Sequence, residues 1–263
     1  EEINTVRKHL SAIKGGKLAK HLQPATGYAI ILSDVVGNHP EMIASGMTYP
    51  DATDAPEVME VIEKYHLDVE DKVIRVLEKS EETLVSNITN IVKGNVEELC
   101  SSAAEHVREL GYKPYIFSTN ADCEAKSLGQ WFARTAKAIR EDNPWKLELP
   151  CAVIVGGETV VKVTGNGLGG RNQEIALQAA EGIQGMEKTV LFSLASDGTD
   201  GPTDAAGGIV DGYTVKALED KGMNIREYLE DNDAYCALQE VNGLIMTGPT
   251  GTNVNDVTVL LIK

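Results

Sequence analysis

Aromatic residues are scarce in this sequence, at 5% of 263 positions. So thin a supply argues against a base-stacking platform for nucleic acid. Basic residues are outnumbered too: 24 Lys and Arg stand against 40 Asp and Glu, a formal net charge of −16. A surface of that sign repels DNA, RNA and anionic lipid, and it equally suits solubility or adaptation to salt or heat. An anionic ligand therefore needs a locally positive or amide-lined pocket. Cysteines number four, Cys100, Cys123, Cys151 and Cys236, without a CxxC pair or a His at zinc-ligand spacing. They are expected as buried small hydrophobes in a reducing, cytoplasmic setting. No apolar run approaches a membrane span, and no signal-peptide pattern opens the chain. An initial Met is missing as well, and a helical pattern (Ile3, Val6, Leu10, Ile13) begins at once, so a preceding segment is expected.

Hydrophobic residues, at 42%, suffice for a proper core. The first helix should run to about residue 14, where Gly15-Gly16 stops it. Residues 28–32 form an apolar run that ends in Ser33-Asp34, the mark of a buried, parallel strand. Residues 36–56 should be a long loop of the functional kind. Helical periods follow at 55–65 and 70–78, a strand within 83–92, a helix at 95–110, a strand at 115–118 and a helix at 127–140. Such alternation indicates an α/β domain with a mainly parallel sheet. The polar break at 141–144 is the expected boundary, with one domain at 1–147 and another at 148–263. Beyond it, strands are expected at 151–155, 160–163 (a hairpin arm), 189–194, 243–246 and 257–262, with helices at 172–182 and 214–221.

Four segments carry chemistry. In Gly165-Asn-Gly-Leu-Gly-Gly-Arg-Asn-Gln-Glu174, glycines let successive N–H groups face one oxyanion. The helix start adds positive partial charge, and Arg171 adds a planar donor fork. Gly169, Gly170 and Arg171 thus make an anion cradle, or else a plain tight turn. Ser196-Asp-Gly-Thr-Asp-Gly-Pro-Thr-Asp204 offers three carboxylates and three hydroxyls after a strand. Asp197 and Asp200 suit Mg²⁺ or a hydroxyl nucleophile, or simply a turn bonded to its own backbone. Thr247-Gly-Pro-Thr-Gly-Thr-Asn253 can wrap a phosphate with Thr247, Gly248, Thr250, Thr252 and Asn253, or be an irregular connection. Asn255-Asp256 would then tie it to the last strand. Gly156-Gly157-Glu158-Thr159 lies at a strand C-terminus, where open α/β sheets place ligands. In the first half, Ser33, Asp34 and Ser45 are candidates for one cleft. Lys14 is a cation beside a turn, whereas Arg7, Lys8 and His9 look like a solvated face. The cradle requires Arg171 to lie near the aspartate-rich and threonine-rich bends; pointed into bulk solvent, it would fail.

Taken in order, Asn4-x-Val6-Arg-Lys-His-Leu-Ser11-x-Ile-Lys-Gly-Gly16, Leu32-Ser-Asp-Val-Val-Gly37, Ile43-Ala-Ser-Gly46, Gly156-Gly-Glu-Thr159, Gly169-Gly-Arg-Asn-Gln-Glu174, Asp197-Gly-Thr-Asp-Gly-Pro-Thr-Asp-Ala-Ala-Gly207 and Thr247-Gly-Pro-Thr-Gly-Thr-Asn-Val-Asn-Asp256 closely resemble the class II glycerate kinases, whose C-terminal portion is called MOFRL. The resemblance implies α/β architecture: the remainder of a Rossmann-like parallel-sheet domain, then a distinct MOFRL-type domain, with a site in the cleft between them. It implies ATP-dependent, Mg²⁺-assisted phosphorylation of D-glycerate, a small hydroxy acid, to 2-phosphoglycerate, with Arg171 as catalytic arginine. ATP would then meet Ser33, Asp34 and the glycine and threonine segments, and the acceptor Lys14, Ser45 and Asp200. Asp197 is expected to be catalytic and, with Asp200, a metal ligand. Neither nucleic acid nor membrane is an expected partner, and a homodimer stays open. The chain departs from the family in Ser45-Gly-Met-Thr48, where SGPT is usual, and in Val160 after Gly156-Gly-Glu-Thr159, where a second Thr is usual. The family's catalytic lysine lies in an N-terminal stretch not found here, so an inactive fragment is one alternative. An NAD(P)H-dependent hydroxypyruvate reductase, an older label for the family, is the other.

Overall fold

The structure is a computed structural model that describes residues 2–35, 37, 39–80 and 82–263. It divides into two compact units, Glu1–Gly94 and Asn95–Lys263, each described by itself. The first contains helices α1 (Glu2–Leu10) and α2 (Lys17–His21), strand β1 (Gly27–Ile31), helices α3 (Ala55–Lys64) and α4 (Asp71–Leu77), and strand β2 (Ile88–Val92). β1 and β2 run parallel, with Gly27 opposite Ile88 and Ile31 opposite Val92. Helix α1 stops at Leu10, earlier than its periodicity suggested. The Ser11 hydroxyl accepts the N–H groups of Ile13 and Lys14, a local alternative to helical bonding. Helix α3 starts on a capping box: the Asp54 carboxylate accepts the Glu57 N–H, and Glu57 accepts the Asp54 N–H. Of the expected loop at 36–56, Val36 and Asn38 lie outside the described residues.

The second unit runs through α5 (Val96–Glu109), β3 (Lys113–Ala121), α6 (Ala125–Glu141), β4 (Cys151–Gly157), α7 (Arg171–Ile183), β5 (Thr189–Ala195), β6 (Gly207–Asp211), α8 (Thr214–Glu219), α9 (Ile225–Glu230), α10 (Ala234–Glu240), β7 (Leu244–Ile245) and β8 (Asp256–Ile262). Its sheet has the order β3-β4-β8-β5-β6-β7. Only β3 and β4 pair in parallel; the other neighbours are antiparallel. The compact unit therefore begins at Asn95, not at the polar break near 147. β3 hydrogen-bonds to β4 across that break, and α5 packs on the same sheet.

The apolar runs at 151–155 and 257–262 form strands buried on both faces. Cys151, Val153 and Val155 enter one core with α6 and α7, while Ala152 and Ile154 enter a second core with α5. β8 divides likewise, Leu260 and Ile262 on one side, Val257 and Val259 on the other. Side chains alternating across a sheet covered on both sides require an unbroken apolar run.

Residues 160–163 form no hairpin arm. Val160 makes only an isolated bridge to Glu124, and both Val160 and Val163 are exposed. Of the cysteines, Cys100 and Cys151 are buried as expected, but Cys123 is exposed and Cys236 half-buried. Among the described residues, no helix is long and apolar enough to cross a membrane.

Candidate functional site

The sheet brings three chain reversals together at one end of its centre. β4 ends at Gly157, β5 ends at Ala195 and β8 begins at Asp256. Register places Asp256 opposite both Gly157 and Ala195. The motifs after β4, after β5 and before β8 therefore share one edge.

Arg171, the first residue of α7, reaches this edge. Its Nε donates to Asp256 Oδ2 at 2.5 Å and its Nη2 to Asp256 Oδ1 at 3.1 Å. Its Nη1 lies 3.1 Å from Glu158 Oε1. The side chain is 30% exposed, against 6% for Asp256 and 45% for Glu158, so Arg171 is held at the site rather than loose in solvent. Burial works against its charge, but the Asp256 bond and the charges of Asp256, Glu158 and Asp200 outweigh this and hold its pKa above the ordinary value. Burial also pushes the Asp256 carboxyl up, against the bonds and charge of Arg171, and the charge of Asp197 adds to the rise. One guanidinium thus sits among four carboxylates.

A buried polar network stands behind the pair. The Asn172 side chain contributes a hydrogen bond to Asp256. Its Oδ1 accepts from the Ser193 hydroxyl at 2.6 Å, and Ser193 meets Thr258 Oγ1 at 2.7 Å. Asn255 Nδ2 donates to Glu158 Oε2 at 3.2 Å. Read from the sequence, Asp256 has only a tethering part, and its pairing with Arg171, 85 residues away, has no local signal.

Two expectations need correction. The N–H groups of the glycine-rich turn are filled by the protein itself. Asn232 Oδ1 accepts from Thr164 and Gly165, Asp231 Oδ1 from Asn166, the Asp231 carbonyl from Gly167, and Asp233 Oδ1 from Leu168. Glycine is required because a Cβ at 165 or 167 would run into Asp231 or Asp233. The close approach predicted from the glycines is real, but the guest is the 231–233 loop and not a phosphate.

The start of α7 is filled as well. Asp200 accepts the Asn172 N–H at 3.1 Å and the Gln173 N–H at 2.9 Å, and is only 2% exposed. Its carboxyl pKa is pushed up by burial, which the bonds from Gln173 and Asn172 oppose. Asp200 is therefore the cap that α7 lacks locally. Sealed in this way, it is neither an open metal ligand nor an acceptor-binding group. Gly169 and Gly170 lead into this capped helix start and are half-buried.

The other two segments remain accessible. Asp197 is half-buried, and its Oδ1 accepts the Thr199 N–H at 3.0 Å. Its carbonyl accepts the Thr250 N–H at 3.0 Å, and Thr250 Oγ1 donates to the Ser196 carbonyl at 2.6 Å, so the aspartate-rich and threonine-rich bends are stitched together. Residues 246–253 are exposed, and Gly248 and Gly251 take φ of 69° and 78° with open space around them. At the foot of β4, Gly156, Gly157 and Thr159 are buried, and Thr159 Oγ1 has no hydrogen-bond partner.

No three His, Cys, Asp or Glu side chains gather as a metal cage among the described residues. Mg²⁺ asks for less, usually one or two carboxylates with phosphate oxygens and water. Asp197 fits that smaller requirement; Asp200 does not.

The first-unit candidates Lys14 and Ser45 are drawn together. Gly15 and Gly16 donate to the carbonyls of Ser45 and Gly46 at 3.0 and 2.7 Å. Lys14 Nζ donates to the Ala44 carbonyl at 3.2 Å, and Ser45 Oγ to Asn4 Oδ1 at 3.0 Å. Ala44 and Ser45 hold φ of 49° and 60°, strain of the kind that gathers at functional sites. Ser33 is buried and bonded within its own turn; Asp34 is exposed. Lys8 and His9 are not a solvated face. Both are buried, Lys8 at 3.3 Å from Asp51 and His9 at 2.9 Å from Thr53 Oγ1.

Glu174 lies behind the site on α7, 2% exposed, with Oε2 accepting from Asn232 at 2.9 Å and Oε1 unpartnered. Burial pushes its pKa up, only partly offset by the Asn232 bond. A raised folded-state pKa means that its stabilising share is full below about 4.5 and is lost as pH rises through the folded value. Glu174→Gln is therefore expected to compare best with wild type at pH 7 and to lose ground as the pH falls towards 4.5. Urea unfolding across that range checks this, and the opposite trend would contradict it.

Comparison with known proteins adds identity to this geometry. Residues 151–256 match the MOFRL family, and residues 1–78 match a domain of unknown function, DUF4147. A D-glycerate 2-kinase from Thermotoga maritima is 47% identical over 263 residues, which are 100% of this chain and 63% of that protein. A glycerate kinase from Macaca fascicularis is 30% identical over 318 residues, covering 100% of this chain and 79% of its own. The chain belongs to the glycerate kinase family. A crystal structure of glycerate kinase from Thermotoga maritima superposes with a TM-score of 0.95 at 46% identity, covering 100% of this chain and 63% of that one. The chain thus spans about 63% of the length of the first of these relatives. The MOFRL match opens at 151, and the compact unit that contains it opens at Asn95.

Proposed function

We propose that the protein carrying this chain transfers the γ-phosphoryl group of ATP to D-glycerate, giving 2-phosphoglycerate, with Mg²⁺ present. The names of its relatives support the reaction. The observation that carries the reading is the placement of Arg171. It is oriented by Asp256 at the edge where the Asp197 turn and the exposed, glycine-hinged loop at 246–253 meet.

In this reading, Arg171 stabilises charge on the phosphoryl oxygens as the glycerate hydroxyl oxygen bonds to phosphorus, its proton passes to water and the bond to the ADP oxygen breaks. Thr247, Gly248, Thr252 and Asn253 lie along the phosphate chain, and Thr250, whose N–H and hydroxyl are taken by the Asp197 and Ser196 carbonyls, ties the loop to the Asp197 turn. Four carboxylates around one guanidinium repel a bare polyphosphate, so the nucleotide suits this edge as a cation complex. Mg²⁺, when bound, supplies neutralisation of phosphate charge, and Asp197 would hold it.

The test is a coupled assay of the complete gene product with ATP, Mg²⁺ and several hydroxy acids. Glycerate-dependent ADP release is the expected result. Oxidation of NADH by hydroxypyruvate without ADP release would contradict it.

A further inference from the structure

Asp256 and Glu158 hold Arg171 in very different ways. Asp256 is fixed in β8, nearly buried, and takes the Nε–Nη2 edge with both oxygens. A bidentate, strand-anchored partner sets the plane of a guanidinium. Glu158 lies just past the end of β4, is 45% exposed, and makes one contact, 3.1 Å to Nη1. Arginine has five N–H donors. Asp256 engages two, so the Nη1 end is left to Glu158, the more exposed of the two partners.

We infer that Glu158 is the counter-ion that an incoming phosphate displaces from Nη1 of Arg171, while Asp256 keeps the other edge in place. Glu158 thereby sets the affinity of the site for phosphate, and Asp256 is a positioning residue. A phosphate oxygen at Nη1 would take the place of the Glu158 carboxylate, so the two anions compete for the same donors. Asn255 Nδ2 gives the released carboxylate a place to stay, because it already binds Glu158 Oε2 at 3.2 Å. The competition is weak because the contact is half exposed and solvent screens it. This inference rests on Arg171 being the phosphate-binding group of the proposed reaction.

Inorganic pyrophosphate as its magnesium complex, titrated calorimetrically into the 263-residue chain, tests it without reference to turnover. Glu158→Gln removes the competing charge but keeps the side chain's size, and should bind about fivefold to tenfold more tightly than wild type. The gain should vanish when Arg171→Ala is added. Equal affinity in wild type and E158Q would overturn the inference and leave the reading of Arg171 standing. A gain that persists in the double variant would overturn it too, as general relief of negative charge. Binding to neither protein would overturn both.

Discussion

Replacing Arg171 by alanine should lower kcat for glycerate phosphorylation by about 10²–10³-fold. The effect is expected in kcat more than in KM, because the guanidinium matters most as charge develops on the transferring group. Arg171→Lys should recover only part of the loss. An ammonium keeps the charge but cannot hold Asp256 with two parallel bonds and still present Nη1 outwards. Alanine at 171 also leaves Asp256 buried beside Asn172 without its cation. Circular dichroism and unfolding midpoints must therefore accompany the kinetics. If R171A, folded and nucleotide-bound, turns over within a few-fold of wild type, the catalytic reading of Arg171 is wrong.

Replacing Asp200 by alanine should cost about 2–4 kcal/mol of stability, the largest such loss expected at the site. The carboxylate caps α7 from 28 residues away, taking the N–H groups of Asn172 and Gln173 and the amide of Asn172. Without it, those N–H groups are buried and unpaired. Loss of a cap costs about 0.5–2 kcal/mol, and each orphaned buried group adds about 1–3 kcal/mol in isolation. Removal of a buried carboxylate, whose charge burial disfavours, offsets part of the sum. Asp200→Asn keeps one acceptor and should recover part of the loss. The readout is the urea midpoint of the 263-residue chain at an unchanged slope. A shift equivalent to under about 0.5 kcal/mol, the ordinary range for a surface change, would show that the cap is not needed.

These two aspects differ in how far the sequence revealed them. The strands at 151–157 and 256–262 were legible because burial on both faces demands unbroken apolar runs, and α7 was legible from its period and glycine-marked start. Convergence of the four glycine, aspartate and threonine segments was legible only as a family resemblance. Their partners were not. The Asp231-Asn232-Asp233 loop fills the turn at 164–168 from more than 60 residues away, and Asp200 caps α7 from a different loop. A glycine-rich turn looks the same in sequence whether its N–H groups face a phosphate or a carboxylate of the same chain. Local pattern also misled at 160–163, where three valines suggested a strand but Val160 and Val163 are exposed. It failed at β6 as well, where Gly207-Gly-Ile-Val-Asp211 carries too short an apolar run to show a period.

The placement of Arg171 against the transferred group is best tested by a crystal structure of the complete gene product with ADP, Mg²⁺, glycerate and aluminium fluoride, a mimic of the phosphoryl group in flight. The expected result is Nη1 of Arg171 within about 3 Å of a fluoride, with Asp256 still on the Nε edge and Glu158 turned away. A fluoride group bound elsewhere, with Arg171 still paired to Glu158, would contradict the account.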